Sequence, residues 1–308
     1  MAEVQGIPAS GWLILDKPRG LGSTQAVAAV KRNLREGGYP KTKIGHGGTL
    51  DPLAEGVLPI ALGEVTKLAG RMLDASKIYE FTIRFGEQTD TLDTEGEVVE
   101  TSDVQPTRDD VQGVLARFTG AIEQVPPAYS ALKVDGKRAY DLARAGEEVQ
   151  LKKRAVTIHS LYISEPSEPS GHVTLTAHVS KGTYIRSLAR DIAHALGTCG
   201  HVTYLRRIKA GPFLEKQAIS LDKLNEIGKG APLEELLLPL EAGLDDIPAL
   251  KLDSVSAQAV RQGRVLTDMP NSDGLYCAIL DDVPVALMEL KAGTARVVRG
   301  FNLPDVAE

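Results

Sequence analysis

Val173-Thr174-Leu175-Thr176-Ala177-His178-Val179-Ser180-Lys181-Gly182-Thr183-Tyr184-Ile185-Arg186 decides the fold class, because its periodicity changes midway. Val173, Leu175, Ala177 and Val179 alternate with polar residues, as in a half-buried strand. After the turn Ser180-Lys181-Gly182, Ile185, Leu188, Ile192 and Leu196 recur at helical spacing, Gly197 stops the run, and Arg186 and Arg190 share one face. A strand thus feeds directly into an amphipathic helix. Upstream, Tyr79, Phe81, Ile83 and Phe85 alternate with Ile78, Glu80, Thr82 and Arg84, a second half-buried strand. Between the two, a capping-box-like Thr107 to Asp110 opens a helix bearing Val111, Val114, Leu115 and Phe118, ended by Gly120. Near the N-terminus, Gly11 to Leu15 reads as a strand running into the turn Asp16-Lys17-Pro18-Arg19-Gly20. A helix follows from Ser23 to Glu36, with Ser23 or Thr24 as N-cap, Val27, Val30 and Leu34 on one side and Gly37-Gly38 as its stop. Strands and helices mix without βαβ alternation, so the expected class is α+β, a mixed and largely antiparallel sheet with flanking helices.

Two further segments stand apart. After the break at Pro126-Pro127, residues 128–154 are polar and basic, with one short helical stretch from Lys137 to Ala145, and read as an excursion from the core. Glu241 to Pro248 is acidic and contains Gly and Pro, as a linker would. Beyond it come a short helix near Ser254 to Gln262 and strand candidates at Tyr276 to Leu280, Val285 to Leu290 and Arg296 to Phe301, a pattern suited to a small β-barrel domain.

Composition narrows the classes. A chain of 308 residues with 43% apolar and 25% charged residues suits one large and one small globular domain. It has no apolar tract long enough for a membrane span and no signal-peptide layout, so the cytoplasm is expected. Cys199 and Cys277 form no Cys-x-x-Cys pair and read as buried thiols. His194, Cys199 and His201 lack metal-ligand spacing and no P-loop string occurs, so neither a metal nor a nucleotide is expected. The net charge of −6 conceals segregation, since residues 181–216 carry seven bases against two acids and residues 87–110 nine acids against one base. A basic face on an acidic protein and ordinary solvated charge fit this equally.

Gly45-His46-Gly47-Gly48-Thr49-Leu50-Asp51-Pro52 is the most specified loop. Its glycines permit close backbone approach, and Pro52 restricts Asp51 to extended conformations. A carboxylate in such a turn suits a nucleophile or base; an Asx-turn is the plainer reading, and the residues alone leave both open.

Four ordered segments resemble the bacterial TruB family of tRNA pseudouridine synthases. They are Leu15 to Gly20, Gly45 to Ala54, Ser130-Ala-Leu-Lys133 with Gly136-Lys137, and Ser180 to Arg186 followed by His201-Val-Thr-Tyr-Leu-Arg-Arg207. Gly47 and Thr49 depart from the family's usual His-Thr-Gly-Ala-Leu-Asp-Pro but leave Asp51 in register. The resemblance implies a catalytic domain over 1–245, with a basic RNA-contacting insertion at about 126–154, and a small PUA-like domain over 246–308. It implies isomerisation of uridine 55 in the tRNA T loop by a cofactor-free, metal-free monomer whose partner is the T arm. Asp51 would be the nucleophile on ribose, assisted by Tyr79 and Arg186. Tyr79, Tyr184, Leu205, Lys17 and Lys133 would bind substrate, and His46 would fill the space left by the flipped base. Two other readings accompany it. A retaining glycosidase or nucleoside hydrolase would need a second carboxylate, for which Glu55, Asp90 and Asp93 are candidates, although Asp90 to Gly96 reads first as an acidic turn. An RNA-binding or tRNA-folding protein would make catalysis secondary.

Overall fold

The computed structural model describes residues 9–134, 136–147, 149, 151–164 and 171–303. The ends of the two expected domains, 1–8 and 304–308, and Asp135, Glu148 and Gln150 of the basic excursion lie outside the described residues.

In chain order the elements are β1 (Gly11–Lys17), α1 (Ser23–Glu36), β2 (Ile44–His46), β3 (Glu55–Leu62), α2 (Ala69–Asp74), β4 (Lys77–Phe85) and a hairpin of β5 (Glu87–Thr89) and β6 (Val98–Thr101). Next come α3 (Arg108–Leu115), β7 (Gly120–Gln124), a short hairpin of β8 (Lys133–Val134) and β9 (Lys137–Arg138), α4 (Ala139–Arg144), β10 (Arg154–Ile163) and β11 (His172–Val179). Then follow α5 (Ile185–Ala195), β12 (Gly200–Ala210), β13 (Phe213–Leu214) and α6 (Leu221–Ile227). The last segment holds β14 (Ala249–Lys251), α7 (Ser254–Arg261), β15 (Gly274–Leu280), β16 (Val283–Lys291) and β17 (Thr294–Gly300).

Among the described residues the main sheet has nine strands in the order β1-β3-β12-β4-β11-β10-β7, with β2 on β3 and β13 on β12. Its pairings are antiparallel except the short β3–β12 contact, where Arg206 faces Glu55 and Arg207 faces Gly56. The alternation in β4 and β11 sets the faces. Phe81, Ile83, Leu175 and Ala177 turn to the core, which α5 completes with Ile185, Leu188, Ala189, Ile192 and Ala193. The register pairs Ala177 with Tyr79 and Tyr79 with Arg207, so three strands present residues at one level of the sheet. Their level is the end at which β11 turns into α5.

Four local expectations change. The N-cap of α1 is Gly22, in extended conformation, whose N–H donates to Gln25 Oε1 at 2.7 Å. Ser23 is engaged by a distant loop instead. Within the excursion the helix shrinks to Ala139–Arg144, because β8 and β9 take up the residues before it. The acidic linker is packed rather than loose: Leu244 within it and Leu240 just before it are buried, and Trp12 Nε1 donates to the Leu240 carbonyl at 3.2 Å. The expected small barrel is, among the described residues, a four-stranded sheet β14-β15-β16-β17 with α7 packed on it.

Candidate active site

The Asp51 turn is held from three sides. Ser23 Oγ accepts from the Leu50 N–H at 2.8 Å and donates to the Leu50 carbonyl at 2.9 Å, so α1 grips the peptide just before Asp51. Gly20 N–H donates to the Pro52 carbonyl at 2.7 Å. Arg207, on β12, donates from Nη1 to the Thr49 carbonyl at 3.3 Å and from Nη2 to the Gly48 carbonyl at 3.2 Å. Its Nε donates to Val57 at 2.7 Å. With backbone groups on both sides of it fixed, Asp51 keeps only its side chain free to act, and that side chain is 36% exposed.

Arg186 enters from the first turn of α5 and meets this carboxylate. Its Nη2 donates to Asp51 Oδ2 at 2.7 Å and to the Tyr129 carbonyl at 3.0 Å. Its Nη1 donates to the Thr91 carbonyl at 2.7 Å and lies 3.2 Å from Asp93 Oδ2. Asp93 is buried, and its Oδ1 accepts from Thr91 Oγ1 and from the Glu95 N–H at 2.6 and 2.9 Å. The guanidinium is therefore fixed by a fully engaged carboxylate behind it and offers its outer edge to Asp51. Such charge-assisted bonds fix geometry as well as charge.

Asp51 and Arg186 stand where two hollows meet. A cleft of about 650 Å³ is also lined by Lys77, Tyr79, Arg154, Tyr184, Leu205 and Arg207, a volume suited to a base and its sugar. Gln124 fixes the Tyr184 peptide at both ends, accepting from its N–H at 2.8 Å and donating to its carbonyl at 3.1 Å. Burial raises the Tyr184 phenol above its ordinary range. A hollow of about 900 Å³ on the other side is lined by His46, Asp90, Tyr129, Tyr140 and Arg144 among others. His46 Nδ1 is buried there without a hydrogen bond among the described residues, and burial, then Arg207, lowers its pKa.

Asp51, Tyr79, Tyr184, Arg186 and Leu205 thus converge on the cleft, with His46 beside it across Asp51. Two expected substrate contacts do not. Lys17 is fully buried, and its ammonium donates to the carbonyls of Pro18, Leu21 and Pro52 at 3.0, 2.6 and 3.4 Å, so it clamps the turns around Asp51 instead of facing a ligand. Burial lowers its pKa to about 8, against the opposing pull of Asp51. Lys133 is exposed on the β8 hairpin outside the cleft lining, to which its neighbours Ala131 and Leu132 belong. Of the carboxylates a hydrolase would pair with Asp51, Glu55 is bound to Arg206 at 3.2 Å, Asp90 accepts from the Tyr129 hydroxyl at 2.9 Å, and Asp93 is spent on Arg186. Neither Arg207 nor Gln124 is singled out for a role by the sequence, in which Asp93 reads as part of an acidic turn. The available signal was the pair Arg206-Arg207 in a strand, where alternation sends one arginine to each face.

Known proteins resemble this chain over nearly its full length. Residues 35–185 match the family model described as TruB family pseudouridylate synthase (N terminal domain), and residues 186–245 match the tRNA pseudouridylate synthase B C-terminal domain. The tRNA pseudouridine synthase B of Novosphingobium aromaticivorans is 69% identical over 97% of this chain and 99% of its own length. That of Zymomonas mobilis is 58% identical over 95% and 96%. Among solved structures, an H/ACA RNP bound to a substrate RNA containing 2'-deoxyuridine holds a chain 25% identical, with a TM-score of 0.72 over 96% of this chain and 85% of that one. A Cbf5-Nop10-Gar1 complex gives 26% identity and a TM-score of 0.71 over 96% and 84%. Identity at this level over nearly the full length, together with the two family-model matches, places this chain in the TruB family of pseudouridylate synthases.

Proposed function

We propose that this chain isomerises uridine 55 of the tRNA T loop to pseudouridine, with Asp51 as the carboxylate that acts on the ribose. The observation that carries the reading is the Asp51–Arg186 ion pair at 2.7 Å, set at the mouth of a cleft of base-and-sugar size and fixed from behind by Asp93. Relatives named tRNA pseudouridine synthase B supply the substrate and the reaction. Breaking N1–C1′ puts positive charge on the sugar. Asp51 answers it either by bonding to C1′ or by taking the C2′ proton, and Arg186 keeps the carboxylate aimed. Tyr79 stacks on the base and aids removal of the C5 proton, while Tyr184 and Leu205 bound the uracil. Flipping a base out of a folded loop costs a few kcal/mol, and His46 offsets part of it by filling the vacated space. The insertion at 126–154, with Lys133, Lys137 and Arg138, contacts the RNA, and residues 246–308 form a second, PUA-like RNA-binding unit. The enzyme works as a cytoplasmic monomer on the T arm.

The test is incubation with a T-arm hairpin transcript in EDTA, with pseudouridine and free uracil both assayed. Wild type is expected to form pseudouridine, and Asp51→Asn to bind the hairpin but form none. Free uracil as the product would make the chain a hydrolase. Tight binding without product from wild type would make it a binding protein.

A further inference from the structure

The cleft beside Asp51 holds more positive charge than one carboxylate balances: Lys77, Arg154, Arg186 and Arg207 line it, and Arg186 is already neutralised by Asp51 and Asp93. Arg207 is 1% exposed and Lys77 7%, and neither forms an ion pair among the described residues. Every acceptor they use is neutral. Arg207 donates to the carbonyls of Val57, Thr49 and Gly48 and its Nη1 lies 3.5 Å from the Tyr79 hydroxyl, while Lys77 Nζ donates to the carbonyls of Met72, Leu73 and Ala75 at 2.7, 2.8 and 2.6 Å. Both cations stand behind one wall, since a Cβ on Gly48 would lie 3.8 Å from Arg207 Nη1 and 3.9 Å from Lys77 Cε. Burial, then Arg207, lowers the Lys77 pKa to about 8, against the opposing pull of Asp74. Buried charge with no ion-pair partner is costly, and catalytic sites place such charge where opposite charge develops during reaction.

We propose that Arg207, with Lys77 behind it, is the electrostatic floor that holds the uracil ring as an anion between its detachment from the ribose and its return. The proposal rests on the pseudouridine-forming reading above. When N1–C1′ breaks, the bonding pair stays with the base and gives uracilate, whose charge spreads over N1, O2 and O4. Asp51 meets the sugar by forming a bond to C1′ or by accepting the C2′ proton. After the ring turns, a C5 electron pair forms C5–C1′, and Asp51 leaves C1′ or returns the proton to C2′. The C5 proton then departs to a base and N1 gains one, so no atom is lost. The anionic interval is the stage at which an uncompensated guanidinium lowers the energy, and Tyr79, 3.5 Å from the same Nη1, lies next to it.

The experiment compares Arg207→Met with wild type on two T-arm hairpins, one with uridine and one with 5-fluorouridine at the target. Fluorine stabilises the detached base as an anion, so that substrate depends less on the floor. Single-turnover loss of the target nucleoside, hairpin affinity and thermal melting are measured for each protein. Expected is a drop of about 100-fold on uridine, the scale of a lost oxyanion-type donor, with affinity little changed and a smaller drop on 5-fluorouridine. Equal slowing on both substrates would mean that Arg207 only shapes the Asp51 turn and would overturn the proposal, as would an unchanged rate. Should Arg207→Met fail to fold, Lys77→Met, whose ammonium donates to the carbonyls of Met72, Leu73 and Ala75 and to none of that turn, runs the same comparison under the same criteria. Wild type that forms no pseudouridine would defeat the underlying reading instead, which keeps the two failures apart.

Discussion

Asp93 and Lys17 act on Asp51 without facing the cleft. Asp93→Ala removes the carboxylate that fixes Arg186 and leaves a guanidinium only 6% exposed with the half-open Asp51 as its one counter-charge. Breaking a buried pair costs about 3–5 kcal/mol. We expect a lower melting temperature and a turnover loss much larger than any loss of RNA affinity, whereas equal losses would show that Asp93 serves stability alone. Lys17 makes a prediction about pH. Its folded pKa of about 8 lies below the ordinary lysine value of 10.5, so across that window the unfolded chain binds more protons than the folded one. Its contribution to stability is complete above the upper value and is lost as pH falls through about 8. Relative to Lys17→Met, wild type should therefore gain melting temperature between pH 7.5 and pH 10, and parallel curves would contradict it.

At the scale of elements, the site depends on how helix, turn and strand are tied together. Ser23→Ala leaves the Leu50 N–H and carbonyl unpaired in a buried place, at roughly 1–3 kcal/mol per group. Its expected signature is reduced single-turnover rate with retained hairpin affinity, and rescue by Ser23→Thr, which restores an Oγ. Gly56 opens β3 at φ +101°, where a Cβ would run into the Arg207 carbonyl. Gly56→Ala should cost at least roughly 1–3 kcal/mol in backbone strain and separate β3 from β12, observed as a lower melting temperature together with lost activity. The strands β4 and β11 and the helix α5 were legible in the sequence because hydrophobic periodicity reports directly which face is buried. The Ser23 link was not, since a serine at a helix start reads as a cap until a loop 27 residues away is seen to occupy it.

In the whole molecule the last segment is joined to the main sheet through a shared core. Trp12 and Ile14 of β1, Leu240 just before and Leu244 within the acidic segment, and Cys277, Leu287 and Phe301 of the C-terminal unit belong to one buried cluster. Trp12→Ala should therefore destabilise by about 3–5 kcal/mol and loosen the C-terminal unit, seen as faster proteolysis after residue 245. Separate melting of an unaffected C-terminal unit would refute that coupling. The α+β class, most element positions and, through the ordered motifs, the family were readable from the chain alone, and Asp51 could be put forward from them, because local periodicity and turn chemistry are written in neighbouring residues. Packing between distant elements revealed that Lys17 clamps carbonyls, that Asp93 fixes Arg186 and that Arg207 and Lys77 line the cleft with no ion-pair partner among the described residues. Those assignments depend on which distant groups meet and whether water reaches them, and in a folded chain that is set by packing between elements far apart in sequence.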